Sequence, residues 1–285
     1  RFSARRSVSS SGNRPGSVKV EDETSVVEAK ARVQTSATMS LMESNLAPEV
    51  KRSQSVDPMQ TKILSRHVDG DVLSLAGGNW TLDKGRALGA VLHPGITTLT
   101  LADNSIDEKG AKVLAEFFAN PLGAKISTLD LSSCRLTDRA MGIFAPALSV
   151  ARTTTVGAAR KQSDGKRARV KTLSLACNPA LGDNGIRALT LVGPSTVLAD
   201  INLSRCGITA SGAVTVSEMI NDIATLERLT LSWNNIGGGG GSGPLALRTA
   251  IEENTRLKSL DVGHCSLGRV GAAHIIRATG SDQGE

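Results

Sequence analysis

The chain has 285 residues, a net charge of +6 and 40% hydrophobic residues, but only 2% aromatic residues and no Tyr. So few rings exclude a core built on large aromatic side chains and leave Leu, Ile, Val and Ala to make a thin, layered one. They also argue against base-stacking on nucleic acid, and no apolar run reaches the length that spans a bilayer.

Residues 1–67 read as a largely irregular extension. Arg1 to Lys19 is rich in Ser and Arg and holds no acid. That composition suits a mitochondrial transit segment or a flexible basic tail. Ser25 to Val50 has a weak helical tendency without a clean apolar stripe, and Lys51 to Pro58 reads as a linker. The region buries too little to fold alone.

From Val68 to Thr279 the chain repeats itself. ITTLTLADNSI begins at Ile96, ISTLDLSSCRL at Ile126 and VKTLSLACNPAL at Val170. LADINLSRCGI begins at Leu198, LERLTLSWNNI at Leu226 and LKSLDVGHCSL at Leu257. A degenerate first copy, DVLSLAGGNWTL, begins at Asp71. The central leucine falls at 101, 131, 175, 203 and 231, with Leu75 and Val262 at the two ends. The interval from Leu131 to Leu175 is longer than the others and marks an insertion at 151–171. Each motif precedes a helical segment. In Asp107 to Asn120, Ala111, Leu114, Ala115 and Phe118 share one stripe behind an acidic first turn. Most of these segments start with Gly or Ala, where a helix can lie close to a strand. A strand–turn–helix unit cannot bury its apolar side alone, so stacked units must share one core. The fold class expected is therefore α/β: a curved solenoid of about seven repeats, with a tail at 280–285.

The pattern apolar-x-x-Leu-x-Leu-x-x-(Asn/Cys)-x-apolar resembles leucine-rich repeat proteins of the ribonuclease-inhibitor-like subfamily, over nearly three quarters of the chain. The position after Leu-x-Leu-x-x reads Asn104, Cys134, Asn178, Cys206, Asn234, Cys265 and alternates strictly. The resemblance implies that these side chains lie inside the turn and hydrogen-bond neighbouring backbone groups, which need partners where the chain leaves the strand. It favours a structural ladder over a metal site or a nucleophile. No two cysteines have Cys-x-x-Cys spacing, so reduced thiols and an intracellular chain are expected. Cys177 stands outside the ladder and is the thiol expected to react.

The resemblance also places recognition on the concave sheet face. Candidate partner-binding residues there are Asp103, Asp130, Asn202, Arg205, Arg228, Trp233, Asp261 and His264. Trp233 leads them, because exposed Trp and Arg are enriched at binding hot spots. The alternative is that Trp233 merely packs on Arg205 and His264. The insertion is a second candidate. Arg152, Arg160, Lys161, Lys166, Arg167, Arg169 and Lys171 face one acid, Asp164, so its charge equals that of the whole chain. Such a loop suits RNA phosphate or an acidic protein surface. The glycine-rich stretch GGGGGSGP, Gly237 to Pro244, lacks the Lys and spacing of a phosphate-binding loop and reads as slack in a connection. No catalytic constellation, metal set or cofactor motif emerges.

The expectation is a non-catalytic scaffold among other protein subunits of a large assembly. An organellar one such as the mitochondrial ribosome is preferred to an axonemal or cytoskeletal one. A free adaptor or small-GTPase regulator is the third reading.

Overall fold

In a computed structural model the chain divides into two units, Arg1–Ser55 and Val56–Glu285. The residues described are 64–77, 80–91, 95–119, 123–149 and 170–279, all in the second unit. The expectations for the basic tail, the linker, the tail at 280–285 and insertion residues Arg152, Arg160, Lys161, Lys166, Arg167 and Arg169 lie outside them.

Eight short strands form one sheet in chain order. They are β1 (Val68–Asp69), β2 (Val72–Ser74), β3 (Thr98–Thr100), β4 (Thr128–Asp130), β5 (Thr172–Ser174), β6 (Asp200–Asn202), β7 (Arg228–Thr230) and β8 (Ser259–Asp261). From β2 onward the pairs are parallel and Leu73, Leu99, Leu129, Leu173, Ile201, Leu229 and Leu260 align in one row. A helix follows each of these strands: α1 (Leu82–Val91), α2 (Glu108–Phe118), α3 (Asp138–Phe144), α4 (Gly182–Val192), α5 (Ala210–Asp222), α6 (Ser242–Glu253) and α7 (Gly268–Ala278). This is the α/β solenoid that the repeat implies.

Period-2 alternation sends each Leu-x-Leu pair inward and the residues between them outward. Leu99, Leu101, Leu129, Leu131, Leu173, Leu175, Ile201, Leu203, Leu229 and Leu231 are all buried against the helices. The helices contribute apolar stripes such as Ala111, Leu114, Phe117 and Phe118 on α2. Their starts are held by Asp107, Thr137 and Thr209, whose side chains accept from the backbone N–H of Gly110, Ala140 and Ser211. Strands need about 4.8 Å of spacing and packed helices about 8–10 Å, so the helix side is longer and the sheet face is concave.

The two ends of the stack differ. At the first, β1 pairs antiparallel with β2, and Leu64, 1% exposed, joins the core ahead of the repeats. At the last, Leu257, Leu260, Val262, Leu267 and Ile275 are only partly buried.

The glycine run between β7 and α6 is not slack. Gly239, Gly240 and Gly241 have φ of 81°, 88° and 90°, a region that favours glycine. A Cβ on Gly237 would stand 2.1 Å from the Ser266 carbonyl oxygen. Gly237→Ala is therefore expected to cost about 1–3 kcal/mol by overpacking, read as a lower urea midpoint. An unchanged midpoint would mean that the turn yields freely.

Candidate functional site: the concave face and its turns

The Asn/Cys ladder defines the turns that carry the concave surface. Each ladder side chain donates to the central carbonyl of the preceding repeat. Asn104 Nδ2 reaches Leu75 O at 2.9 Å, Asn178 Nδ2 reaches Leu131 O at 2.9 Å and Asn234 Nδ2 reaches Leu203 O at 2.8 Å. The thiols of Cys134, Cys206 and Cys265 reach Leu101 O, Leu175 O and Leu231 O at 3.0, 3.1 and 3.1 Å. Asn does more than Cys, because its Oδ1 also accepts. Asn104 takes the Trp80 N–H, Asn178 the Leu136 N–H, and Asn234 those of Cys206 and Ile208.

A thiol can donate only while protonated. Burial pushes Cys134 up to about 11 and Cys206 up to about 12, and raises Cys265 as well. Their unfolded thiols titrate near 9.0. The folded chain thus holds these protons after the unfolded chain has begun to lose them. Their contribution to stability is complete below about pH 9 and lost as pH rises through the folded values. Urea midpoints should fall between pH 8 and about pH 10.5, and fall less in a Cys134→Ala/Cys206→Ala double variant. No Tyr titrates in that window. An equal fall in both proteins would remove the thiols as its cause.

One residue before each ladder position, the backbone turns left-handed. Asp103, Ser133, Cys177, Arg205, Trp233 and His264 have φ between 54° and 63°. None is Gly, so each site costs about 1–2 kcal/mol. The first five recover part of this by donating their N–H to the next repeat. The bonds run from Asp103 to Ser132 O (2.9 Å), Ser133 to Ala176 O (2.8 Å), Cys177 to Ser204 O (2.8 Å), Arg205 to Ser232 O (3.0 Å) and Trp233 to Gly263 O (2.9 Å). The result is a column of six side chains thrown out along one margin of the concave face.

The alternation runs deeper than the ladder. Where the ladder holds Cys, the strand ends in Asp130, Asn202 or Asp261. Their Oδ1 atoms accept from the N–H of Ser132 (2.9 Å), Ser204 (3.0 Å) and Gly263 (2.8 Å). Where it holds Asn, the equivalents are Thr100, Ser174 and Thr230. One oxygen of each of Asp130, Asn202 and Asp261, named above as candidates for a partner, is thus committed to its own turn. Cys repeats also have a second left-handed residue: Arg135, Gly207 or Ser266.

Other sequence candidates are similarly engaged. Arg228 Nε lies 2.8 Å from Asp200 Oδ2, a pairing that raises the pKa of the guanidinium. Lys171 directly precedes β5, and its N–H donates to Ser127 O at 2.8 Å. Asp103 remains exposed, in an open polar groove with Gly77, Ser105, Ser133 and Arg135. Cys177 is exposed while the ladder cysteines are buried.

Trp233 is held between neighbours from the repeats on either side. The Arg205 guanidinium carbon lies 4.5 Å from the ring centroid. The His264 ring stacks at 4.0 Å with an interplanar angle of 16°. Trp233 is still 52% exposed. What the stack offers solvent is the indole margin together with a guanidinium and an imidazole. The packing of Trp233 on Arg205 and His264, offered from the sequence as the alternative to partner binding, is present, and the geometry adds its stacked arrangement. Among the described residues no cluster of His, Cys, Asp or Glu is arranged to hold a metal ion, and no helix is long and apolar enough to cross a membrane.

The solenoid is built of leucine-rich repeats similar to those of ribonuclease inhibitors. The family pattern "Leucine Rich repeat" matches residues 170–189, 223–243 and 253–275. The chain is 31% identical to a ribonuclease inhibitor from Sus scrofa over 62% of its own length and 35% of that protein. It is 28% identical to human NACHT, LRR and PYD domains-containing protein 2 over 53% of its length and 13% of that protein. The chain thus spans about a third or less of the curated relatives it matches. A solved structure of leiomodin-1 actin-binding site 2 superposes on 60% of the chain and 90% of its own, with 17% identity and a TM-score of 0.39, too loose a fit to bear on function.

Proposed function

We propose that this chain is a non-catalytic scaffold that recognises another protein along the concave margin marked by Arg205, Trp233 and His264. The stack carries the reading. A large ring is kept half exposed on a left-handed turn by a cation on one side and an imidazole on the other, already ordered before any partner arrives. Pre-ordering of this kind lowers the entropy cost of association. The name of the similar pig protein says that it inhibits a ribonuclease, and that supports recognition of proteins by such a surface.

We further propose that the partner is a large assembly into which the chain is built. The basic stretch at 151–171 and the acid-free start support an organellar assembly rich in acidic surface or RNA phosphate, such as the mitochondrial ribosome. An axonemal or cytoskeletal assembly is the second reading, and a free adaptor or small-GTPase regulator the third.

Sedimentation from gently lysed cells, with and without ribonuclease, separates them. A heavy fraction that collapses with ribonuclease supports the ribonucleoprotein. One indifferent to it supports a protein assembly, and a light fraction removes the built-in role. Trp233→Ala should move the protein from heavy to light, with a loss of about 2 kcal/mol or more in binding. Its urea midpoint should hardly change, because an exposed cation–π contact gives about 0.5–1 kcal/mol. Retention of the variant in the heavy fraction would remove the stack from the interface.

A further inference from the structure

The left-handed column changes character along its length. Asp103, Ser133 and Cys177 are small, whereas Arg205, Trp233 and His264 carry large planar groups. Neighbours in the column stand one strand apart. The N–H of Cys177 donates to Ser204 O and that of Arg205 to Ser232 O, each acceptor lying one residue before the next column position. Strand spacing is about 4.8 Å, and the planes follow one another at nearly that interval. Arg205 lies 4.5 Å from the Trp233 ring centroid, and the Trp233 and His264 centroids are 4.0 Å apart. The indole therefore has both faces covered, but the guanidinium has only one. Its other face looks along the column to Cys177, where the next plane would fall and where the side chain is an exposed thiol. Ser133, one repeat further, is no larger, so the stack ends in a step. Arg205 also keeps its charge uncompensated. Arg228 pairs with Asp200 and Lys258 with Glu227, while Arg205 enters none of the ion pairs among the described residues.

We infer that this step is a seat for an aromatic side chain of a partner protein. The ring lies over the Cys177 thiol with one face on the Arg205 guanidinium, and it extends the planar stack by one member. A guanidinium is weakly hydrated and takes aromatic rings on its faces. Its charge attracts the electron-rich face of the ring, and the thiol is a soft, apolar floor. A saturated side chain would fill the same space without the attraction between charge and ring. A nucleobase has a suitable plane, but the turns beyond the step bring Asp103 and Asp130 against Arg135, which leaves no excess of cations to hold a phosphate backbone. The inference rests on the proposed use of this margin for protein recognition and adds what the partner must bring.

Cys177 supplies the probe, because it is exposed while the other three cysteines are buried. The full chain is equilibrated in excess mercaptoethanol with phenylethanethiol, cyclohexylethanethiol or a uracil-bearing ethanethiol, each added as its mixed disulfide with mercaptoethanol. Capture at Cys177 is read by mass spectrometry of the chain and its peptides, and glutathione in the same mixture gives the intrinsic exchange of each thiol. Phenyl should be captured about fivefold better than cyclohexyl. That preference should vanish in Arg205→Ala and fall to about twofold in Arg205→Lys, which keeps a charge without the plane. Equal capture of the two rings overturns the inference, as does a preference that survives Arg205→Ala. Stronger capture of the uracil would make a nucleobase the occupant and overturn it too. The readout does not depend on any assembly. Equal capture, with Trp233→Ala lost from the heavy fraction, removes the seat and leaves the margin as an interface. A phenyl preference, with Trp233→Ala retained there, upholds the seat and moves the assembly interface elsewhere.

Discussion

Replacing Asn234 with Ala should destabilise the repeat unit by about 3–5 kcal/mol, whereas Cys206→Ala in the neighbouring turn should cost about 1–2 kcal/mol. The difference follows from what each side chain holds. Asn234 closes four hydrogen bonds inside the turn. Its Nδ2 donates to Leu203 O at 2.8 Å and Leu231 O at 2.7 Å, and its Oδ1 accepts from the N–H groups of Cys206 and Ile208, both at 3.0 Å. It is 4% exposed, so water does not readily replace those partners. Each buried group left without a partner costs about 1–3 kcal/mol, reduced where the turn relaxes. Cys206 gives one good S–H bond, to Leu175 O at 3.1 Å, and its loss leaves a smaller hole. Asn234→Asp should be no milder than Ala, because a carboxylate would face two carbonyl oxygens where a donor is required. Urea denaturation of the three variants checks the order. Equal costs for Asn234→Ala and Cys206→Ala would mean that the ladder acts by packing alone.

The second large effect is expected at Leu203. Leu203→Ala should cost about 2–5 kcal/mol, because its side chain is fully buried between the sheet and the helices and the repeats on both sides limit collapse. Val262, its counterpart in the last repeat, is only partly buried. Val262→Ala should cost roughly 1 kcal/mol, little enough that the two variants separate clearly in midpoint. In a stacked array stability is close to a sum of repeat and interface terms, so a central lesion touches two interfaces and a terminal one touches one. Matching losses at the two positions would mean that the last repeat is covered by something in solution.

The solenoid was legible in the sequence because its information is periodic. Leu101, Leu131, Leu175, Leu203 and Leu231 mark the register, and the Asn/Cys alternation marks the turn. The left-handed column was not legible. Ser133, Arg205 and Trp233 do not favour positive φ, and the turn adopts it because the ladder and the next repeat's carbonyl hold the chain there. The commitments of Asp130, Asn202 and Asp261 were missed for a related reason. An outward carboxylate or amide at a strand end reads as a free contact until its own turn amide is found 2.8–3.0 Å away. A usable signal was present: at the last residue of the strand, Asp or Asn stands two residues before Ser or Gly only where the ladder holds Cys. The glycine run misled in the opposite sense, since a string of glycines looks like freedom although close backbone approach fixes Gly237 and Gly243.

The coupled alternation of ladder residue, strand-end residue and second left-handed turn makes the smallest interchangeable module two repeats long. Excision of a single central repeat would bring two turns of the same kind together. Asn would then face Asn, or Cys would face Cys, with the wrong set of amides presented across the junction. Excision of an adjacent pair would restore the sequence of turns on both sides of the cut. Shortening or lengthening this array, by natural duplication or by design, should therefore be tolerated in even steps.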